Sequence, residues 1–399
     1  MISTAKTARP LPAPSDAGPD EEADDPLPFS VELGAAHAFG PGFAVSGLRS
    51  EQGATRAFAA LLVDGTGKLV DLGAVHGDPE PPLLVAHGAR LLSLVIDSDA
   101  GGFVLRLGEI VDAKGNARFV QAAELSGIPR DANGFVADLS EGRGLFAYTG
   151  ARDKTAIFVG SFDPAALQAK LSSRALTLTP DDASEPRIVA RRGGFWLAFV
   201  SEPRPKKAPK LARAERDAGD DQPEKLVELG PRELRIVSLD GGGNPQGEPR
   251  RVAPPSNRPF MFDLAADTDT GALLLWQESQ APGADGAGIK LGRGRADGSL
   301  EQASIDDERL GAGVPSLLHD PEPETPAGAL WLSAAGADDL TLFGAIGTGQ
   351  GGTLQTDPLV RSSALLAANR GTLLVAQWRG QDVELRLIAC TPPLSPAPP

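Results

Sequence analysis

The segment Pro82–Leu125, PLLVAHGARLLSLVIDSDAGGFVLRLGEIVDAKGNARFVQAAEL, contains four short apolar runs separated by turn residues. The runs are Pro82–Gly88, Leu91–Asp97, Phe103–Asp112 and Arg118–Leu125. Short apolar runs bounded by Gly, Asn and Asp are typical of strands joined by hairpins. The segment therefore predicts one antiparallel sheet of four strands.

The second run of this unit recurs along the chain. Its occurrences are Phe43–Ser46, Leu91–Leu94, Leu145–Tyr148, Phe195–Phe199, Leu273–Trp276, Leu330–Ser333 and Leu373–Trp378. Their spacing, roughly 45–55 residues apart from one longer gap, fits the repeat of a β-propeller. A single such sheet buries too little apolar surface to fold alone and needs neighbours on both faces. We therefore predict an all-β fold, a β-propeller of about seven four-stranded blades.

The tryptophans give a check on this repeat. All four fall in the second run of the last four units, at Trp196, Trp276, Trp331 and Trp378. Counted from a glycine just before each run, their positions are all odd. Because side chains alternate along a strand, we expect the four indoles on the same sheet face.

Composition divides the chain into a folded region and flanking segments. Residues 1–28 are rich in Pro, Asp and Glu, have little to bury and are expected to be disordered. Residues 29–391 form the predicted propeller, and residues 392–399 are a Pro-rich tail. Residues 201–230 are charged and Pro-rich, and we expect them to be a surface loop inserted between the second and third strands of the fourth blade.

The last unit offers only three strands before the Pro-rich tail, which cannot extend a sheet. At the other end of the chain, Phe29–Leu33 precedes the first unit. We therefore predict that Phe29–Leu33 closes the ring as the outer strand of the seventh blade, which protects the free edges.

Charge and composition exclude several classes of partner. The chain has 38 Lys and Arg against 53 Asp and Glu, a formal charge of −15, which disfavours nucleic acid. No apolar stretch approaches the roughly 18–20 residues that span a bilayer. The single cysteine, Cys390, excludes an intrachain disulfide. We expect a monomer without a cofactor.

Four arginines lie near the entry to first strands, and they are the candidate ligand-binding residues: Arg130, Arg187, Arg258 and Arg361. First strands of propellers begin on the face that surrounds the central channel. Arginine there is suited to a carboxylate or an acidic sugar. Arginines scattered over polar turns would give the same pattern.

Two segments resemble calcium loops and offer Asp97 with Asp99, and Asp267 with Asp269, as metal ligands. Both lack the further carboxylates of a full loop, and Asp-x-Asp-x-Gly is also an ordinary turn, so no metal site is assigned. The second segment also resembles the Asp-box of sialidase-like propellers. That family uses a Tyr nucleophile, and the only tyrosine here, Tyr148, falls in a predicted core strand.

As a whole, residues 29–391 resemble degenerate repeat propellers of the secreted or lipoprotein-like type found in GC-rich bacteria, with a WD40-like architecture. The resemblance implies a location in the periplasm or at the cell surface, although the sequence as given contains no signal peptide. No catalytic constellation is evident. The first hypothesis is a non-catalytic binding or scaffold module for a protein or acidic ligand. The alternatives are a carbohydrate-active hydrolase using the channel mouth, and a module whose working part is the 201–230 insertion.

Overall fold

All regular secondary structure in the described part of this computed structural model is β-strand. The structure describes residues 3–6, 29–63, 65–99, 101–113, 116–151, 154–167, 174–176, 178, 180–203, 232–252, 259–267, 270–279, 287–295, 299–305, 316–318, 328–332, 340–343, 365–379 and 382–389. In these residues no helix is long and apolar enough to cross a membrane.

The strands form antiparallel sheets in which each strand pairs with its neighbour in sequence, except that β1 (Ser3–Lys6) pairs with β27 (Asp382–Ala389). The first sheet comprises β2 (Phe29–Phe39), β3 (Gly42–Glu51), β4 (Ala54–Val63) and β5 (Thr66–Val75). The second comprises β6 (Leu83–His87), β7 (Arg90–Asp99), β8 (Gly102–Ala113) and β9 (Asn116–Ile128). The third comprises β10 (Asn133–Ser140), β11 (Arg143–Ala151), β12 (Thr155–Phe162) and β13 (Arg174–Ala175).

The second half of the chain repeats this arrangement. The fourth sheet comprises β14 (Asp182–Arg191), β15 (Gly194–Glu202), β16 (Glu233–Asp240) and β17 (Arg250–Arg251). The fifth comprises β18 (Pro259–Ala266), β19 (Ala272–Ser279), β20 (Ala287–Gly294) and β21 (Leu300–Ile305). A three-stranded sheet follows, with β22 (Ser316–Leu318), β23 (Gly328–Leu332) and β24 (Leu340–Phe343). The last sheet comprises β25 (Leu365–Asn369), β26 (Thr372–Arg379), β27 (Asp382–Ala389) and β1 (Ser3–Lys6).

The first strands of successive sheets lie side by side around a central axis, and β25 of the last sheet contacts β2 of the first. The predicted all-β propeller is therefore confirmed. The predicted number of seven four-stranded blades is wrong, because six sheets in the described part of the chain have four strands. The sheet β22–β24 has only three strands within the described residues.

The predicted closure by Phe29–Leu33 is wrong. These residues begin the 11-residue strand β2, which pairs along its length with β3 in the first sheet. The short apolar run merges with the residues that follow it, because Ala36–Phe39 continue the same pairing past a bulge. In the last sheet, β27 instead pairs with Ser3–Lys6. Residues 7–28 and 390–399 lie outside the described part of the chain.

The core consists of apolar layers between consecutive sheets, as a propeller requires. The layer between the fourth and fifth sheets contains both Trp196 and Trp276. The neighbours of Trp196 along β15, Phe195 and Leu197, pack instead against the third sheet. Trp196 therefore faces forward around the ring and Trp276 faces backward, so the predicted common face is wrong for this pair.

The predicted insertion leaves and rejoins the fourth sheet between adjacent strands. Ser201, near the end of β15, pairs with Glu233, the first residue of β16. On the other side of β15, Glu202 pairs with Asp182 at the beginning of β14, the first strand of the sheet. Residues 204–231 lie outside the described residues, so the hypothesis that this segment is the working part stays a prediction.

Candidate functional site: the central channel

The first strands enclose a channel of about 540 Å³ on the axis of the ring. Small and apolar side chains make up most of its wall, and they come from β2, β6, β10, β14, β18, β22 and β25. Four titratable or charged side chains interrupt this wall: His37, Asp138, Arg187 and Asp263. The end of the channel at which the first strands begin is called the mouth below.

Bulges near the mouth shape four of the first strands. One extra residue interrupts the pairing between Leu33 and Ala36 in β2, Asn133 and Val136 in β10, Ser184 and Arg187 in β14, and Pro259 and Met261 in β18. A bulge turns backbone groups out of the regular ladder and redirects the side chains that follow it. In β14, the first side chain after the bulge is Arg187.

Glu80, in the segment before β6, binds the bulge of the neighbouring sheet. Its Oε1 and Oε2 accept hydrogen bonds from the backbone N–H groups of Gly134 (2.7 Å) and Phe135 (3.1 Å). Burial raises the pKa of Glu80, Asp78 raises it further, and the two N–H groups and Arg187 oppose the rise. The carboxylate thus joins the second sheet to the third beside the mouth.

A second carboxylate with a raised pKa, that of Glu32, lies near Glu80. Burial is the largest cause of its raised pKa, and the negative charges of Glu80 and Asp78 add to it. Three carboxylates therefore act on one another at this part of the mouth. A charged ligand that enters here passes through a negative potential.

Arg187 is partly buried in the channel wall. Its Cζ lies 5.5 Å from the ring centroid of Phe262 on the next first strand, and its Nη1 donates to the carbonyl oxygen of Pro186 at 3.0 Å. Its positive charge lowers the pKa of both Glu80 and Asp263 against the effect of burial. Among the described residues, no carboxylate lies within ion-pair distance of this guanidinium group.

Asp138 and Asp263 each connect their own first strand to the next one. Asp138 accepts hydrogen bonds from the N–H groups of Leu139 (2.7 Å) and Ala190 (2.6 Å). Asp263 accepts from Leu264 (2.9 Å) and Leu317 (2.7 Å) in the same way. Burial raises the pKa of Asp138 to about 6 and also raises that of Asp263. We refer to these two side chains as the aspartate latches.

His37 lines the channel on β2. Burial lowers the pKa of its imidazole from 6.5 to about 4. The ring is therefore neutral at physiological pH and adds no positive charge to the channel.

The structure places the predicted arginines differently from one another. Arg187 lies in the channel wall, whereas Arg130 is exposed in the turn before β10. Arg258 and Arg361 lie outside the described residues. The structure therefore brings one of the four into the channel, and the proposed set of four stays a prediction.

The candidate calcium ligands have arginine neighbours. Asp97 accepts from the backbone of His76 and Ser98 and lies 3.5 Å from Arg106, and Asp267 forms an ion pair with Arg293 at 2.8 Å. The side chain of Asp99 and the whole of Asp269 lie outside what the structure describes. Within the described residues, no group of three or more His, Cys, Asp or Glu side chains is arranged to hold a metal ion.

Three carboxylates in and beside the channel were not predicted from the sequence: Glu80, Asp138 and Asp263. One signal for the latches was present, because Phe135–Leu139 and Phe260–Leu264 share the pattern Phe-x-x-Asp-Leu in the first run of their units. An aspartate recurring in an apolar run of a repeat indicates a buried carboxylate with a repeated partner. Glu80 had no such signal, since its partners are backbone N–H groups 54 and 55 residues away.

Comparison with known proteins supports the fold and assigns no family. No protein-family model matches the sequence, and no curated protein matches it either. The WD40 domain of coronin from Toxoplasma gondii is similar in structure, with 9% identity, a TM-score of 0.51, and coverage of 90% of this chain and 85% of that chain. At this identity the likeness shows the propeller fold alone.

Two hydrolases are also similar in structure. A puromycin-hydrolyzing peptidase of Mycobacterium tuberculosis has 14% identity and a TM-score of 0.51, and the match covers 87% of this chain but only 49% of the peptidase. The α-L-arabinofuranosidase Arb93A of Fusarium graminearum has 10% identity and a TM-score of 0.48, with 77% of this chain and 92% of that chain covered. This chain thus spans about half the length of the peptidase.

Proposed function

We propose that the chain is a non-catalytic propeller module that binds a protein or a small acidic ligand at its channel. The observation that supports this function best is the state of the channel carboxylates. Each oxygen of Asp138 and Asp263 accepts a backbone N–H group, one from its own strand and one from the next first strand. Both oxygens of Glu80 accept N–H groups of β10. Carboxylates used in this way hold the ring together, whereas general acids and bases must face a substrate.

Arg187 is the group we propose for ligand recognition. Its guanidinium group lies over the ring of Phe262, one of its nitrogens donates to Pro186, and the residue lines the channel. A planar fork of N–H donors fits a carboxylate or sulfate group. Of the two proposed partners, the described residues therefore support the small acidic ligand.

The test is calorimetric titration of the full chain with a trimer of galacturonic acid. Substitution Arg187→Gln is expected to weaken binding about tenfold or more, the order of one lost charge-assisted contact. Arg192→Gln is the matched control, because Arg192 is an exposed arginine in the turn that follows β14 and is expected to leave binding unchanged. Equal affinity in the wild type and Arg187→Gln would exclude Arg187 as the recognition group.

One observation favours a second function, a carbohydrate-active hydrolase that uses the mouth. The negative charge of Glu80 raises the pKa of Glu32, so these two carboxylates lie near each other at the mouth. Glycoside hydrolysis uses a pair of neighbouring carboxylates, one of which carries the proton. The assay is release of reducing ends from arabinan and from polygalacturonate, with Glu32→Gln as the diagnostic variant. Turnover that disappears in Glu32→Gln supports the hydrolase, and absence of turnover on both polymers leaves the binding module.

A further inference from the structure

Arg187 shares its electrostatic environment with two carboxylates on different elements. Glu80 approaches from the segment before β6, and Asp263 lies on β18. Arg187 and Asp263 line the same channel, and the guanidinium group lies over Phe262, the residue before Asp263. Glu80 binds the N–H group of Gly134, which lies beside Pro186, the residue before Arg187. Neither carboxylate forms an ion pair with Arg187 among the described residues, but the positive charge of Arg187 acts on both. An external anion that binds Arg187 therefore meets two negative charges that already attract the same guanidinium group.

Both carboxylates are held in place by backbone contacts and cannot swing away when a ligand arrives. Glu80 is fixed by the bulge at Gly134 and Phe135, and Asp263 by Leu264 and Leu317. Since their positions are fixed, their influence on an anion at Arg187 depends on whether they are ionised.

We propose that anion binding at Arg187 strengthens as the solution becomes more acidic, because protonation of Glu80 and Asp263 removes the charges that compete with the ligand. This inference rests on the proposed function and concerns the regulation of the same site. Burial raises the pKa of both carboxylates, which brings their titration closer to neutral pH. An ionised carboxylate in a partly buried site changes the affinity of a neighbouring anion by about three- to tenfold.

Other groups that face this region act in the same direction or stay constant. Asp138 on β10 has a pKa of about 6, so it loses charge over the same range. Glu32, on β2, also has a raised pKa and adds to the effect, and its neighbour Asp78 contributes further negative charge at the mouth. His37 stays neutral above about pH 4.

Two further charged residues of β14 have contacts of their own. Glu185, in the bulge, forms an ion pair with Arg232. Arg191, at the far end of the strand, lies over the ring of Trp196. Neither is therefore expected to set the pH dependence at Arg187.

The experiment is titration of the full chain with inorganic sulfate at pH 7.5 and pH 5.5 and constant ionic strength. Sulfate remains a dianion at both values. We expect wild-type affinity to rise about three- to tenfold at pH 5.5, and Arg187→Gln to abolish sulfate binding at both. Glu80→Gln is expected to bind more tightly than the wild type at pH 7.5 and to show a smaller pH dependence.

The matched control is Glu124→Gln, since Glu124 is an exposed carboxylate on β9, the outer strand of the second sheet; it is expected to keep the wild-type pH dependence. Arg187-dependent binding of equal strength at both pH values overturns this inference and leaves the proposed function standing. Sulfate binding that is absent, or unaffected by Arg187→Gln, overturns both. Because the wild-type measurement alone decides the pH effect, a poorly folded Glu80→Gln variant does not prevent the test.

Discussion

Asp138 shows how one carboxylate serves two strands. Its two oxygens bind N–H groups on β10 and β14, and replacing it with alanine leaves both donors without a side-chain acceptor. We expect Asp138→Ala to lower the free energy of unfolding by about 2–3 kcal/mol, measured by urea denaturation. Glu124→Ala, at an exposed position on β9, is the control and is expected to change stability by less than about 0.5 kcal/mol. A loss for Asp138→Ala no larger than the control would contradict a latch role.

The raised pKa of Asp138 also makes the stability of the protein depend on pH in a defined direction. Its folded-state pKa, about 6, lies above the ordinary aspartate value of 3.8, so the folded protein holds this proton more tightly than the unfolded chain. The contribution is fully present below about pH 3.8 and is lost as pH rises through 6. We therefore expect the stability difference between wild type and Asp138→Asn to shift in favour of the wild type as pH falls from 7 to 4.5. A difference that does not vary with pH would show that the carboxyl group titrates normally.

The contribution of His37 to stability depends on pH in the opposite direction, over an overlapping pH range. Its folded-state pKa, about 4, is below the ordinary histidine value of 6.5. Its contribution to stability is therefore present above pH 6.5 and is lost as pH falls towards 4. Replacement by glutamine, which does not titrate, is expected to make the protein relatively more stable at pH 4.5 than at pH 7.5, compared with the wild type. Thermal unfolding of both proteins at the two pH values measures this, and His76→Gln, at an exposed position, is the control. Parallel loss of stability in wild type and His37→Gln would disprove the assignment.

The repeat depends on its hairpins, and the hairpin that contains Gly102 illustrates this dependence. It begins β8 with φ of +140°, and a Cβ atom there would lie 2.0 Å from the carbonyl oxygen of Ile128. Gly53 also has a positive φ, +79°, but a Cβ atom there would meet nothing within 4 Å. We expect Gly102→Ala to lower the unfolding free energy by about 1–3 kcal/mol more than Gly53→Ala, measured by denaturant titration. Equal losses would mean that the backbone around Ile128 adapts at no cost.

The sequence predicts the positions of strands better than it predicts which sheet face a side chain occupies. The apolar runs identify the second strands correctly because alternation and turn residues are local properties. The tryptophan faces fail because the preceding turns differ in length: Arg191 and Gly194 close one hairpin, whereas Ala266 and Ala272 close the other. Counting from a turn glycine therefore does not preserve side-chain parity.

The channel was even less accessible from the sequence than the faces of the strands. Arg187 was identified because it directly precedes the short apolar run Ile188–Ala190, which is a local feature of the sequence. The carboxylates that surround it act through partners on other sheets, and such partners appear only when the ring is assembled. The four bulges that shape the mouth also lack a common residue pattern, since their inserted residues include Gly34, Gly134, Glu185 and Phe260.

For the whole molecule, the contact between the first and last sheets matters most. Phe43, Phe58 and Leu62 of the first sheet pack with Leu374 and Leu385 of the last. This layer joins segments more than 300 residues apart in the sequence, and it carries no covalent crosslink. The ring is therefore expected to unfold as a unit, because opening this layer exposes apolar surface on both sheets.

Leu374→Ala tests this layer, since its side chain is fully buried there. We expect a loss of about 2–5 kcal/mol in the free energy of unfolding, with a single transition by fluorescence and by circular dichroism. Leu69→Ala is the control, because Leu69 is 52% exposed and its truncation is expected to cost little. Two separated transitions in the wild type, or similar effects of the two substitutions, would contradict a cooperative ring.

The pairing of Ser201 on β15 with Glu233 on β16 has a practical consequence. Because Glu202 lies opposite the beginning of β14, any peptide spliced between these strands emerges on the same side of the ring as Arg187 and Glu80. A fluorophore or a peptide epitope placed there would report on what approaches that side, while the inter-sheet layers are left intact. The connection between β15 and β16 is therefore a suitable position for attaching a reporter group.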